Sequence, residues 1–152
     1  MKSSVSGFGL LAAAMLLLAG CVSEPNSNGS QLGDGLEQAL VLRVIDGDTI
    51  DVDIDLGFKV FLQKEKVRLF GINTPESRTR NLEEKKLGLA AKARLKELLP
   101  KEFVVRTEKD DKGKFGRILG IPLVEGRNIC DQLVEEGHAR SYFGFGPKEI
   151  WV

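Results

Sequence analysis

Residues 39–54, ALVLRVIDGDTIDVDI, point most directly to the fold of this 152-residue chain. The stretch is rich in β-branched residues, and Ile50, Val52 and Ile54 alternate with aspartates. A period of two is typical of a strand with one face in a core and the other in solvent. Because the run is broken only at residues 46–48, it predicts two strands joined by a tight Asp-Gly turn.

Three further strands follow. We predict a third strand within residues 58–70, a fourth at 103–107 and a fifth at 115–123. No internal repeat or second domain is visible. The five strands, with a helix between the third and fourth and a short helix after the fifth, predict a mainly β fold with helices (α+β), built as a five-stranded OB-type barrel.

Both helices have clear sequence signals. Over residues 82–99, apolar residues recur at spacings of three and four, and Pro100 stops the pattern. The short helix spans residues 128–136, with Asn128 as its N-cap and Gly137 as its stop. The expected apolar face of the first helix consists of Leu87, Ala90, Ala91, Leu95, Leu98 and Leu99.

The first 20 residues differ in composition from the rest of the chain. Residues 8–19 are almost wholly apolar, a run that is too short for a bilayer span but typical of a secretory signal. The run ends in Leu-Ala-Gly-Cys at residues 18–21, which resembles the bacterial lipobox. That resemblance implies cleavage before Cys21 and lipid on its thiol. The alternative is an ordinary signal peptide that happens to end near a cysteine.

The predicted organisation therefore has three parts. Residues 1–20 are a lipoprotein signal peptide, residues 21–37 are the lipidated cysteine with a polar tether, and residues 38–152 are the folded domain. We expect the protein to be exported and lipid-anchored to the cell envelope, on the outer face of the cytoplasmic membrane or on an outer membrane. Cys130 is then the only cysteine of the domain, and its apolar surroundings indicate a small core residue rather than a nucleophile.

The overall charge gives no support for a nucleic-acid partner. The chain has 22 lysines and arginines and 22 aspartates and glutamates, so its formal net charge is zero. Proteins that coat nucleic acid usually carry a basic excess, since neutralised phosphates supply much of the affinity. If nucleic acid is the partner, a local cluster of cations must therefore bind it.

Three short segments carry residue types that suit phosphodiester cleavage. They are residues 45–49 (IDGDT), 67–76 (VRLFGINTPE) and 114–117 (KFGR). Taken singly, each is explained by a common turn, a loop entry or a solvent-facing arginine. Cleavage needs a cation on the phosphoryl oxygens, a base for water, and positive groups for the transition state. The segments supply these as oxygen ligands in Asp48 and Asn73, a base in Glu76, and guanidinium groups in Arg68 and Arg117.

The order and spacing of these segments resemble the thermonuclease-like (staphylococcal nuclease) family from about residue 40 through 145. The resemblance implies a barrel with one calcium ion at one end and hydrolysis of DNA and RNA. It places calcium ligands at Asp48, Asn73 and the backbone carbonyl of Thr74. It also implies a water-activating carboxylate at Glu76, phosphate-binding groups at Arg68 and Arg117, and substrate contacts at Lys114, Phe115, Phe143 and Phe145.

The chain departs from the family pattern at several positions. Asn73 stands where the family has an aspartate, so the cation should bind more weakly, unless Asp46 or Asp51 compensates. Phenylalanines at 143 and 145 replace tyrosines, which keeps ring stacking but removes the hydroxyls. The terminal helix of the family is missing, so we expect Trp151, a partner or a dimer to cover that surface.

Two interpretations of function remain after these departures. The first is a calcium-dependent endonuclease, favoured by the joint presence of Arg68, Glu76 and Arg117. The second is a non-catalytic lipoprotein that binds nucleic acid or an envelope protein, favoured by Asn73. A cationic lip for phosphate, formed by residues 77–80 with Lys85 and Lys86, is as consistent with the sequence as an ordinary solvated surface.

Overall fold

A computed structural model of the chain describes residues 35–108, 117–148 and 150–151. The predicted signal peptide, Cys21, nearly all of the predicted tether, Lys114 and Phe115 lie outside these residues. The first strand begins at Leu36, two residues before the predicted start of the domain at residue 38. The elements are β1 Leu36–Asp46, β2 Thr49–Asp55, β3 Phe61–Leu69, β4 Ile72–Asn73, α1 Leu82–Leu98, β5 Glu102–Glu108, β6 Ile118–Val124, β7 Arg127–Asn128, α2 Ile129–Glu135 and β8 Arg140–Ser141.

Five of the strands close into a barrel. They are ordered β3-β2-β1-β5-β6, and a parallel pairing of β3 with β6 closes the ring. β1, β2 and β3 form an antiparallel meander, as the alternating aspartates predict. The chain is thus mainly β with two helices, and the predicted five-stranded OB-type barrel is confirmed.

The barrel interior is filled by the alternating apolar residues of the strands. Ile50 and Val52 of β2 are fully buried, as is Val67 of β3. Cys130 joins this core with 2% of its surface exposed. Burial raises the pKa of its thiol to about 12, so Cys130 is a core residue, as predicted, and is not a thiolate nucleophile at neutral pH.

The helices follow the predicted bounds closely, but the buried face of α1 differs from the prediction. Asn81 caps α1 by accepting the amides of Glu83 and Glu84. Asn128 caps α2 as predicted, accepting the amides of Cys130 and Asp131. The predicted contribution of Leu87 and Ala90 to the buried face of α1 is wrong, because both are exposed. Ala91, Leu95 and Leu99 are buried as predicted, and Gly88 is buried in addition.

Trp151 lies next to β8 and is half-buried. The Arg140 guanidinium sits over the indole ring, 4.3 Å from its centroid. This contact attaches the last described residues to β8. Within the described part of the chain, α1 and α2 are both too short and too polar to cross a bilayer.

Candidate active site

The turn between β1 and β2 places Asp48 at one end of the barrel. The Asp48 carbonyl accepts the Leu69 amide at 2.8 Å, which fixes the turn against the end of β3. Gly47 allows the turn to approach its neighbours closely. A Cβ at Gly47 would lie 2.8 Å from Thr74 Oγ1 and 2.9 Å from Ala91 Cβ. Only glycine therefore fits here without moving the loop after β4 or helix α1.

The Asp48 carboxylate connects the turn between β1 and β2 to β3 and to the loop after β4. The residue is buried, with 5% of its surface exposed. Its Oδ1 accepts the Thr49 hydroxyl at 3.0 Å, and its Oδ2 accepts the Thr74 amide at 3.2 Å. Arg68 of β3 forms an ion pair with Oδ1. The structure thus brings together Asp48, Arg68 and Thr74, which the sequence assigned to one site.

Asn73 and Thr74 lie beside this carboxylate and are both buried. Asn73 belongs to β4, which pairs with β8 so that Asn73 faces Arg140 in the register. Arg68 also reaches this segment, since its Nη2 donates to the Ile72 carbonyl at 3.4 Å. The Thr74 amide bond to Asp48 therefore holds the Asn73–Thr74 segment beside this carboxylate.

Glu76 stands at the rim of the same cluster. Partial burial raises the pKa of its carboxyl above the ordinary value of 4.5, and the negative charges of Asp46 and Asp48 raise it further. Lys148 and Arg68 partly offset this effect by lowering the pKa. A carboxylate with a raised pKa beside other carboxylates is a common arrangement for a proton acceptor.

Arg117 lies directly before β6, the barrel strand that is adjacent to β3. It directly precedes Ile118, which pairs with Val67, while Leu119 pairs with Arg68. The parallel β3–β6 pairing therefore brings the backbone of Arg117 close to the strand that carries Arg68. Gly120 makes this closure possible, since a Cβ there would come within 2.9 Å of the Val67 side chain.

A cleft of about 380 Å³ opens next to Asn73. Phe143 and Phe145 line it and are largely exposed, with 60% and 77% of their surfaces accessible. Phe143 packs edge-on against Phe70, with 5.7 Å between ring centroids. The predicted substrate-stacking residues are thus brought beside the predicted metal ligands. The other residues of the cleft are Arg140, Ser141, Tyr142 and Pro147.

The donor set of this site fits a hard cation. The described residues hold no group of three His, Cys, Asp or Glu side chains suited to a metal. Asp48 does, however, have the buried residues Asn73 and Thr74 beside it, and both residue types carry oxygen atoms that can bind a cation. Calcium accepts carboxylate, amide and backbone carbonyl oxygens together with water. The accumulation of Asp46, Asp48 and Glu76 charge adds a field that favours a cation.

Comparison with known proteins agrees with this geometry. The family model for staphylococcal nuclease homologues matches residues 66–149, which is more than half of the chain.

The chain belongs to the staphylococcal nuclease homologue family.

Curated relatives extend the match over the barrel. A thermonuclease from Staphylococcus hyicus is 30% identical over 94% of this chain and 83% of its own length. A micrococcal nuclease from Shigella flexneri is 31% identical over 96% of this chain and 76% of its own. A thermonuclease from Staphylococcus intermedius is 37% identical over 70% of this chain, which spans 61% of that relative's length.

Sequence reasoning missed the role of Asp46 in this nuclease-family domain. The sequence indicated Asp46 only as a residue that could compensate for Asn73 in binding the cation. Its Oδ1 accepts the Gly47 amide at 3.1 Å and the Ser77 amide at 3.3 Å. Asp46 thus ties the β1–β2 turn to the loop that carries Glu76. Its position before Gly47 in an Asp-Gly turn is the sequence signal for such a role.

Two further residues were missed because they are distant from the site in sequence. Lys148 lies close enough to Glu76 to lower its pKa, and Gly88 of α1 contacts the Glu76 loop. Ser77, assigned to a cationic lip, is instead buried. The charged residues of that surface, Arg78, Arg80, Lys85 and Lys86, are exposed and remain compatible with a phosphate lip or a solvated face.

Proposed function

We propose that this chain is a calcium-dependent endonuclease that hydrolyses phosphodiester bonds of DNA and RNA. The main support for this proposal is that Asp48, Arg68 and Glu76 lie close together at one end of the barrel. A buried carboxylate, a guanidinium and a carboxylate with a raised pKa are the groups that phosphodiester hydrolysis requires. Relatives named thermonuclease and endonuclease YncB add support.

The cation would be held by Asp48, the Asn73 amide oxygen and the Thr74 carbonyl. When bound, calcium would supply positive charge to the phosphoryl oxygens. Asn73 provides an oxygen without a charge, so the site should bind the ion more weakly than one with two carboxylates.

The side chains would perform the remaining steps. Glu76 would accept a proton from the attacking water, which approaches the phosphorus in line with the leaving 5′ oxygen. Arg68 and Arg117 would each hold phosphoryl oxygens through their planar forks and stabilise the charge of the transition state. The ion pair of Arg68 with Asp48 holds its guanidinium beside the proposed cation ligand before substrate binds.

The nucleotide would lie along the cleft beside Asn73. Phe143 and Phe145 present exposed ring faces on which bases can stack. Lys114 and Phe115 would contact the end phosphate and base of the nucleotide, by resemblance to the family.

We also infer that the domain works outside the cytoplasmic membrane. The support is the sequence of the first 21 residues, which predicts export and lipid on Cys21. The membrane is then a partner of the protein through this lipid, and extracellular nucleic acid is its substrate.

A non-catalytic binding module is the second candidate, favoured by the uncharged Asn73. Such a module would bind nucleic acid but cut none at any calcium concentration.

The chemical ends of the cleavage products distinguish the two functions. The proposal predicts fragments with 3′-phosphate and 5′-hydroxyl ends from end-labelled DNA and RNA.

Substitution of the arginines tests the same proposal. Arg68→Lys keeps the charge but loses the fork, so we expect kcat to fall by about 10²-fold or more. Arg117→Lys should act similarly. Arg43→Lys is the matched control, because Arg43 pairs with Asp51 on the outer face of the barrel. If all three variants cut equally well, the assignment of the arginines is wrong.

A further inference from the structure

The hairpin between β2 and β3 presents an exposed apolar tip. Leu56, Phe58, Val60 and Phe61 lie within six consecutive residues and are 43%, 102%, 52% and 53% exposed. Large apolar side chains scattered singly on a surface are ordinary, whereas a contiguous group on a projecting turn indicates an interaction surface. We call Leu56, Phe58, Val60 and Phe61 the hairpin tip.

The backbone of the hairpin tip is strained. Phe58 and Lys59 have φ angles of +51° and +63°, and the Val60 amide donates to the Gly57 carbonyl at 2.8 Å. A turn with two positive φ angles normally uses asparagine and glycine. A bulky phenylalanine at positive φ lowers the stability of the domain. Because the Phe58 side chain is fully exposed, no packing within the domain offsets this cost. This combination indicates that Phe58 is buried by something outside the described domain.

The hairpin tip lies beside the point where the chain enters the barrel. β1 runs antiparallel to β2, and Gln38 pairs with Asp55, the last residue of β2. The start of β1 at Leu36 is therefore next to the hairpin tip. Fifteen peptide units separate Cys21 from Leu36, so a lipid on Cys21 would hold this end of the domain within about 50 Å of a bilayer.

The candidate active site lies at the other end of the same strands. Thr49, the first residue of β2, pairs with Arg68, whereas Asp55 pairs with Phe61. β2 spans residues 49–55, which at about 3.3 Å per residue separates its ends by roughly 20 Å. A membrane at the hairpin tip would therefore leave Asp48 and Arg68 facing away from it.

We propose that the hairpin tip inserts into the lipid surface and orients the anchored domain with its active site outward. The inference rests on the lipid anchor of the proposed function, because the anchor brings the tip to the bilayer. The formal charges of residues 53–64 balance, because this hairpin contains two aspartates, Asp53 and Asp55, and two lysines, Lys59 and Lys64. Insertion is therefore driven by apolar burial rather than by attraction to anionic lipid.

The test uses the full chain, purified with its lipid and reconstituted into vesicles of phosphatidylethanolamine and phosphatidylglycerol. An environment-sensitive fluorophore is placed on Lys59→Cys, next to Phe58. The matched control is Glu125→Cys, which is also an exposed turn residue with positive φ. Glu125 follows β6, which runs parallel to β3, so it lies at the opposite end of the barrel. The buried Cys130 should not react with the label.

We expect vesicles to shift the emission at residue 59 to shorter wavelength and to reduce its quenching by aqueous iodide at least about threefold. The signal at residue 125 should not change. Phe58→Asp, added to the Lys59→Cys variant, should restore full quenching while the lipid still holds the protein on the vesicles.

Three results would overturn the inference. The first is equal quenching at residues 59 and 125 on vesicle-bound protein. The second is shielding of residue 59 without vesicles that grows with protein concentration, which would assign the tip to a second copy of the chain. The third is protein that does not float with vesicles. The mass of the acyl groups on Cys21 reports on the anchor separately, and none of these readings depends on nuclease activity.

Discussion

Gly88 of α1 packs directly against the backbone of Glu76. A Cβ at Gly88 would lie 2.6 Å from the Glu76 carbonyl carbon, 2.6 Å from the Ser77 amide nitrogen and 2.7 Å from the Pro75 carbonyl oxygen. All three atoms belong to the backbone, so no side-chain rotation relieves the clash. The helix therefore determines where the proposed base stands, and it does so through the one residue type without a side chain.

Gly88→Ala should destabilise the domain and reduce cleavage together. Glycine to alanine in a helix normally stabilises by roughly 0.5–1 kcal/mol. Here the added methyl group should cost about 1–3 kcal/mol and displace the Glu76 loop. Thermal denaturation and kcat measured on the same preparation check both effects. Leu89→Ala is the control, because Leu89 is half exposed on the same helix. A more stable and fully active Gly88→Ala protein would contradict the packing.

Asn73→Asp should tighten calcium binding. The substitution adds a carboxylate next to Asp48, which should lower the calcium Kd at least about fivefold. The shift of Tm with calcium concentration measures this affinity without any substrate. Asp51→Asn is the control, since Asp51 forms an ion pair with Arg43 at 2.7 Å and should not contribute to the site. Equal calcium responses of the wild type and Asn73→Asp would exclude residue 73 as a ligand.

The acid limb of the pH–rate profile should lie above pH 4.5, the ordinary pKa of glutamate. Glu76 acts as a base only when deprotonated, and its pKa is raised, so the rate should fall as the pH drops through that raised value. Asp46→Asn removes a charge that raises this pKa and should move the limb to lower pH. Lys148→Gln removes a charge that lowers it and should move the limb to higher pH. Shifts of both variants in one direction would contradict this electrostatic arrangement.

Phe145→Ala should raise KM for single-stranded DNA with little change in Tm. The ring is 77% exposed, so its loss costs little core packing. Loss of one stacked base is worth about 1–3 kcal/mol, or roughly 5- to 150-fold in KM. Phe61→Ala, on the opposite end of the barrel, is the control and should leave KM unchanged. An unchanged KM for Phe145→Ala would remove the cleft from the proposed substrate path.

The contact between the two helices should depend on pH. Arg94 of α1 donates to both carboxylate oxygens of Glu136 at 2.6 and 2.7 Å, and these bonds lower the pKa of Glu136 to about 2. A lowered folded-state pKa means that the stabilisation is complete above about pH 4.5 and is lost as the pH falls toward 2. Glu136→Gln should therefore lower Tm by a few degrees at pH 7 and by progressively less below pH 4.5. A Tm difference that does not vary with pH would contradict this contribution.

The barrel could be predicted because its strands follow a simple period. Ile50, Val52 and Ile54 alternate with aspartates, and the structure buries all three in the core. The pairing of β3 with β6 could not be predicted, because a parallel contact between two distant segments produces no local sequence pattern. Part of the buried face of α1 was assigned wrongly because Gly88 was not counted. Gly88 packs by having no side chain, so counting apolar residues selected Leu87 instead.

The residues that carry charge in the site were predictable from their type and order, whereas the residues that position them were not. Asp48, Arg68 and Thr74 are in contact, as the first two of the three segments indicate. Asp46 and Lys148 act on the Glu76 loop from positions 30 and 72 residues away in the numbering, and only the folded chain shows them as neighbours of that loop.

Cleavage of single-stranded DNA over a calcium titration, with the wild type and Glu76→Gln side by side, tests the central claim most directly. The glutamine keeps the shape of the side chain but cannot accept the proton of water. We predict calcium-dependent cutting by the wild type and a loss of about 10²–10⁴-fold in kcat for Glu76→Gln at unchanged Tm. Folded wild-type protein that cuts nothing at millimolar calcium would contradict the account, as would a Glu76→Gln protein that cuts at the wild-type rate.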